Sequence, residues 1–229
     1  PELICGFFYF TALWAFLKSN NGDQRKLWLT SALLMLVGLF AKEMAITLPV
    51  IIFLLTYRPG APNIPLARRI TLMLPYAAVT ALYMAMRINA LGFVATNQNQ
   101  RQASYLDWIS LGFRAFAEYI WLALVPYPLM AYRLIAIHLA DRLVPTLAAA
   151  AVVLALSSLA WIYRRRFPEA ALYYAAFFLS LIPVFYFKGI SNAFMSERYL
   201  YIPSLIAILF VLALLRRADQ GYQLAHAVM

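Results

Sequence analysis

The sequence contains few charged residues, and this scarcity argues against a soluble fold. Only 12% of the 229 residues are charged, whereas soluble domains carry about 25%. Hydrophobic residues make up 65% of the chain, more than a single soluble core of this length needs. They form runs of roughly 15–21 residues, close to the roughly 20 that a helix needs to cross a bilayer. Residues 147–156 show no apolar–polar alternation, which excludes a membrane β-barrel. We therefore predict an all-α, polytopic bundle of transmembrane helices.

The sequence also lacks the patterns that many soluble enzymes use. Its one cysteine, Cys5, cannot form an internal disulfide. His138 and His226 have no second ligand at metal-binding spacing, so no metal site is predicted. There is no paired-carboxylate motif, glycine-rich phosphate loop or nucleophile triad. The net charge of +10 does not favour nucleic-acid binding, because the basic residues form short clusters between apolar runs, as in membrane proteins.

Four basic clusters predict the orientation of the chain in the membrane, because basic loops stay in the cytoplasm. They are Lys18/Arg25/Lys26, Arg58/Arg68/Arg69, Arg164/Arg165/Arg166 and Arg216/Arg217. With these inside, the apolar runs give about seven crossings, an outer N-terminus and an inner C-terminus, within one transmembrane domain over residues 1–229. The predicted helices are 3–18, 27–41, 44–57, 70–87, 113–129, 143–163, 170–187 and 199–215.

Two of these segments need further interpretation. The preceding helix runs outward, and 143–163 must run inward to reach the basic cluster at Arg164, so 113–129 cannot itself cross the membrane. We predict that it is re-entrant or interfacial, covered by protein or a water-filled cavity. Residues 27–57 carry cytoplasmic charge at both ends, which predicts two short helices of about 21–23 Å each. The Lys42-Glu43 pair then lies at their outer turn. The alternative is one tilted helix of about 46 Å, which would place Arg58 outside.

This topology places most of the unusual ionisable residues near the outer face, where such residues are costly and often functional. They are Glu2, Lys42, Glu43, Arg87, Arg114, Glu118, Glu197 and Arg198. Lys42 is suited to binding phosphate, and Arg198 can bind phosphate or carboxylate in a fork. Two structural alternatives remain open. Lys42 and Glu43 can pair with each other to cap the turn, and Glu197 and Arg198 can form a rim salt bridge within an aromatic belt.

Several motifs resemble one known family. Residues 41–49, AKEMAITLP, resemble the AKE-x-x-ITLP segment in the membrane part of TPR-bearing O-mannosyltransferase-like proteins. Residues 196–204, SERYLYIPS, resemble their (A/S)(E/D)RYLYLPS segment. Tyr119-Ile120-Trp121 followed by Pro126, and the basic turn 165–168, are weaker matches. Their order and spacing agree with the family over nearly the whole chain.

The resemblance implies a GT-C-like membrane glycosyltransferase. Such enzymes transfer a sugar from a polyprenyl-phosphate carrier to a protein or other acceptor on the outer, periplasmic or lumenal face. Lys42 and Arg198 would then bind the lipid phosphate, with Glu43, Glu197 and Tyr201 in support. The family's catalytic acidic residues precede this segment and its TPR repeats follow it. We therefore name no catalytic residue here and expect the chain to be part of a longer protein. The expected partners are membrane lipids, the polyprenyl-phosphate-linked sugar and a protein acceptor, with no further cofactor.

Two other classes of membrane protein are alternatives to an enzyme. A non-catalytic membrane scaffold subunit would share the fold and lack an acidic residue facing the site. A secondary transporter predicts repeated halves with broken helices near the bilayer midplane, and no such repeat aligns in this sequence. The arginine-rich turns favour a bacterial inner membrane over an endoplasmic reticulum.

Overall fold

The computed structural model describes residues 1–92, 104–130, 142–185 and 195–228, with side chains as far as residue 217. These residues are helical and contain no β-strand, which confirms the predicted all-α class. The α-helices are α1 (Glu2–Lys18), α2 (Arg25–Ala41), α3 (Leu48–Leu55), α4 (Leu66–Leu91), α5 (Tyr105–Leu124), α6 (Leu143–Tyr163), α7 (Pro168–Ser180) and α8 (Tyr201–Val228). Short 3-10 helices cover Glu43–Thr47, Ile182–Phe185 and Glu197–Leu200. His138, the side chain of His226 and residues 186–187 of a predicted helix lie outside the described residues.

Four of the described helical segments are long and apolar enough to span a membrane, which is consistent with an integral membrane protein. They are Leu66–Leu91, Leu143–Tyr163, Pro168–Phe185 and Glu197–Arg217. This count is smaller than the seven crossings predicted from the sequence. Part of the difference is length, because α1 and α2 have 17 residues each and an ordinary span needs about 20.

The chain divides into two compact units. The first comprises Pro1–Arg101 and Leu179–Phe194, and the second comprises Gln102–Phe178 and Met195–Met229. In the first unit, a chain of buried hydrogen bonds links three helices. Tyr76 of α4 donates to Ser31 Oγ of α2 at 2.8 Å, and Ser31 donates to the carbonyl of Ala12 in α1 at 2.6 Å. Polar groups in lipid must find partners inside the protein, so these bonds favour one fixed arrangement of the three helices.

The predicted turn after α2 is present. α2 ends at Ala41, Lys42 is extended (φ −162°, ψ 138°), and the 3-10 helix Glu43–Thr47 leads into α3. Just beyond α3, the carbonyl and hydroxyl of Thr56 accept hydrogen bonds from Arg69 of α4 at 2.5 and 2.7 Å. These observations describe a chain that reverses at Lys42, not one continuous helix over 27–57.

Each end of the first unit holds an ion pair that involves α4. Asp23, in the turn between α1 and α2, forms an ion pair with Arg68 in the first turn of α4. Near the other end of α4, Arg87 contacts Glu43, which follows the end of α2. α2 and α4 therefore connect an end that carries basic residues predicted to be cytoplasmic to an end that carries the residues predicted to face outward.

In the second unit, α5 occupies a different range from the predicted 113–129. It begins at a capping box, in which Ser104 Oγ accepts from Asp107 N at 3.2 Å and the Asp107 carboxylate accepts from Ser104 N at 2.9 Å. Such a reciprocal cap satisfies two backbone donors that a helix start otherwise leaves unpaired. The helix ends at Leu124, shortly before Pro126. Ser110 of α5 and Thr146 of α6 share a buried hydrogen bond of 2.9 Å, which places the second turn of α5 against the first turn of α6.

Candidate functional site

Four of the ionisable residues singled out in the sequence meet in the first unit, and we call them the first polar cluster: Glu2, Lys42, Glu43 and Arg87. The Lys42 ammonium lies 3.5 Å from a Glu2 carboxylate oxygen. The Arg87 guanidinium donates to Glu43 Oε1 at 2.6 Å and to the hydroxyl of Tyr83 at 2.9 Å. The ion pairs therefore join residues from α1, α4 and the break after α2.

Contacts from α1 and α2 hold the break in place. Cys5 Sγ donates to the carbonyl of Lys42 at 3.6 Å. One turn further along α1, the hydroxyl of Tyr9 shares a 3.2 Å hydrogen bond with Thr47, at the end of the 3-10 helix. Gly38 of α2 lies so close to Ala45 that a Cβ at this glycine would sit 3.3 Å from the Ala45 Cβ. Contacts from α1 and from α2 therefore position Lys42, Ala45 and Thr47 of the AKEMAITLP motif.

The first polar cluster is partly accessible. The side chains of Lys42 and Arg87 are 24% and 20% exposed, and that of Glu43 is 46% exposed. Burial acts to raise the pKa of Glu43, but hydrogen bonds from its own backbone N–H and from Arg87 outweigh it and hold this pKa below the usual range. Glu43 is therefore ionised at neutral pH. An anionic ligand that approached Lys42 would have to compete with the Glu2 carboxylate.

A second polar cluster, in the second unit, contains Tyr119, Ser196, Glu197 and Arg198. The hydroxyl of Tyr119 donates to the Ser196 carbonyl at 3.5 Å and accepts from Ser196 N at 3.4 Å. Glu197 accepts a hydrogen bond from Met130 N, and the Arg198 guanidinium lies 5.4 Å from the centre of the Tyr199 ring. The start of the SERYLYIPS motif is thus attached to α5 and to the residues after it.

The two family-like motifs have the same local backbone. Each contains an extended residue, Lys42 (φ −162°, ψ 138°) or Ser196 (φ −146°, ψ 137°). Each continues into a 3-10 helix that starts with glutamate, Glu43–Thr47 or Glu197–Leu200, and then into an α-helix. In both, a proline follows the glutamate after six residues. This position suits proline, because the first-turn N–H of a helix has no intrahelical acceptor.

The structure places the predicted site residues in both units. Lys42 and Glu43 belong to the first unit, whereas Glu197, Arg198 and Tyr201 belong to the second. Joint binding of one phosphate by Lys42 and Arg198 stays a prediction. The sequence places Glu2 and Arg87 among the residues predicted to lie near the outer face. It does not identify them as the ion-pair partners, since no local spacing connects them to Lys42 and Glu43.

Comparisons of the chain with protein-family models, curated proteins and solved structures find no match. The resemblance carried by residues 41–49 and 196–204 is therefore a hypothesis that rests on those residues.

Proposed function

We propose that this chain is the membrane part of a GT-C-like glycosyltransferase. In this proposal the enzyme takes a sugar from a polyprenyl-phosphate carrier and transfers it to a protein or other acceptor on the outer face of a bacterial inner membrane. The supporting observation is the shared geometry of the two family-like motifs. Each places charged residues, including Lys42 in one and Arg198 in the other, in an irregular segment directly before an apolar helix. Such breaks allow charged side chains and backbone groups to face a cavity at membrane depth.

The proposed topology has about seven crossings, with the basic clusters in the cytoplasm. It is supported within the first unit, where α2 and α4 connect Arg68 at one end to the first polar cluster at the other. The short helices α1 and α2 would cross where the bilayer is thinned, which costs little per ångström of mismatch. α5 would be the re-entrant or interfacial segment, because it carries Asp107, Arg114 and Glu118 within 20 residues.

In the proposed mechanism, Lys42 and Arg198 bind the phosphate of the carrier and stabilise the negative charge that develops as the sugar leaves. Preorganised cations of this kind are often the largest single contribution to catalysis. Glu43, Glu197 and Tyr201 support the two cations, and the Glu2 carboxylate lies 3.5 Å from the Lys42 ammonium. The base that activates the acceptor hydroxyl is an aspartate or glutamate upstream of this chain, as the resemblance implies.

Substitution of Arg198 in the full-length protein tests this function. Transfer from a polyprenyl-phosphate sugar to an acceptor is measured in membranes for wild type, Arg198→Ala, Arg198→Lys and Lys42→Ala. Loss of a charge-stabilising donor lowers the rate by roughly 100-fold or more, and lysine should restore part of the loss. Arg216→Ala, in a basic cluster predicted to be cytoplasmic, is the matched control. Wild-type rates for both Arg198→Ala and Lys42→Ala would refute the proposed site.

The second candidate function is a non-catalytic membrane scaffold. It is favoured by the ion pairs of the first polar cluster, because Glu2 and Glu43 offset the charges of Lys42 and Arg87 within the chain. A scaffold predicts no transfer by the wild-type protein with any polyprenyl-phosphate sugar. It also predicts that Lys42→Ala lowers the stability of the protein or its assembly.

A further inference from the structure

The second unit contains an apolar cavity of about 370 Å³. It lies between the last turns of α6, the first turns of α7, residues 207–214 of α8 and the end of α5. Among the described residues, its walls consist of alanine, leucine, isoleucine, phenylalanine and tyrosine side chains. This volume lies in the range of small-molecule binding pockets. Three of the four contributing helices, α6, α7 and α8, belong to segments that are apolar enough to span a membrane.

A basic turn borders the cavity. Tyr163, the last residue of α6, and Phe167, just before α7, both line it, and their rings lie 6.4 Å apart. The backbone N–H of Phe167 donates to the carbonyl of Tyr163 at 2.8 Å, so the chain between them is a tight turn. That turn consists of Arg164, Arg165 and Arg166. Three cations are therefore fixed at the rim of an apolar cavity.

The three arginines differ in their accessibility. Arg164 donates to the carbonyl of Trp161 at 2.6 Å and stacks 3.7 Å from the centre of its ring. Arg165 and Arg166 are exposed, and the Arg166 guanidinium lies 5.6 Å from the centre of the Phe167 ring, which lines the cavity. Beyond the cavity residue Leu214, α8 continues into Arg216 and Arg217, whereas Glu169 adds one carboxylate in the first turn of α7. The charge around the rim is therefore strongly positive.

We infer that this cavity binds one acyl chain of an anionic phospholipid, with the lipid phosphate at Arg165 and Arg166. An apolar wall at membrane depth favours hydrocarbon, and arginine forms bidentate hydrogen bonds with phosphate. Basic residues next to a membrane attract anionic lipids. The site lies at the basic end of α6, so it does not depend on the glycosyl-transfer site proposed around Lys42 and Arg198.

Lipid binding to the purified full chain in detergent tests this inference. Native mass spectrometry is used to follow titrations with phosphatidylglycerol and, separately, phosphatidylcholine of the same acyl composition. Wild type is expected to bind one phosphatidylglycerol per chain, with roughly tenfold preference over phosphatidylcholine, from the attraction of an anionic headgroup to the two exposed arginines. Ala160→Phe fills the cavity and should abolish binding of both lipids. Ala148→Phe, on an exposed part of α6 outside the cavity, should bind like wild type.

A second pair of variants tests the phosphate contact without changing the cavity. Arg165→Gln combined with Arg166→Gln should weaken phosphatidylglycerol binding the more strongly of the two and so remove the preference for this lipid. Arg25→Gln combined with Lys26→Gln removes the same charge from another predicted cytoplasmic cluster and should preserve the preference. Equal binding of the two lipids by wild type would overturn the inference. So would a dimer that Ala160→Phe dissociates, because the occupant would then be a second copy of the chain.

Discussion

The Glu43–Arg87 ion pair should contribute measurably to the stability of the first unit, because it joins α4 to the break after α2. A double-mutant cycle with Glu43→Gln and Arg87→Met removes each charge while it keeps a side chain of similar length. Two unit charges about 4 Å apart attract by roughly 4 kcal/mol at an effective dielectric of 20 and by about 1 kcal/mol in water. The Arg87 side chain is 20% exposed and that of Glu43 is 46% exposed, which favours the lower part of this range. We expect a coupling free energy of about 1–1.5 kcal/mol.

The Asp23–Arg68 pair in the same unit provides a matched control. Its two side chains are 56% and 49% exposed, and exposed ion pairs typically contribute about 0.2–1 kcal/mol. Both cycles are measured from the free energy of unfolding in mixed micelles of sodium dodecyl sulfate, with tryptophan fluorescence as the signal. A coupling for Glu43 and Arg87 no larger than that for Asp23 and Arg68 would show that the first polar cluster does not stabilise the break.

Two further predictions concern the first unit. Gly22→Ala should lower the free energy of unfolding by about 2–3 kcal/mol, because Gly22 has φ +87° and a Cβ there would clash with Leu72 Cδ2. Gly60→Ala is the control, since Gly60 has φ +76° and a Cβ there would have no atom within 4 Å. Equal losses of unfolding free energy in the two variants would rule out the Leu72 contact as a cause. The pKa of Glu43 is lowered in the folded state, so its contribution is present above the ordinary glutamate pKa and is lost as pH falls through the lower, folded value. Unfolding free energy measured between about pH 6 and 3 should therefore fall less steeply in Glu43→Gln, and identical slopes would contradict this assignment.

The helix boundaries show what local sequence can and cannot predict. The break after α2 was predicted correctly, because the adjacent Lys42 and Glu43 interrupt an apolar run whose ends both carry basic residues. The predicted start of this helix, residue 113, was wrong by eight residues, because α5 begins at Tyr105. The prediction was based on the apolar run and did not use the capping box. The signal was present in the sequence: Ser104 precedes Asp107 by three positions, the spacing of a helix N-cap.

The ion-pair partners of the site residues could not be predicted from the sequence. Lys42 pairs with Glu2, and Glu43 pairs with Arg87, which lies 44 positions away in the chain. Neighbouring residues on a helix differ by about 100° in direction, so a small rotation of α4 would send Arg87 to a different neighbour. Such rotations depend on packing at buried contacts such as Tyr76 with Ser31, and no local pattern reports them.

The sequence by itself determined that the chain is helical and suited to a membrane, because scarce charge and long apolar runs depend only on composition and local order. It also determined where basic turns and charged breaks occur. Only the tertiary structure decided which charges form ion pairs, that two distant motifs share one backbone geometry, and that an apolar cavity lies beside the turn 164–166. These features arise where helices distant in sequence pack together. Their physical basis is the shape and rotation of the helices. Other sequences with the same apolar pattern would pack with other helix rotations and would therefore form other contacts.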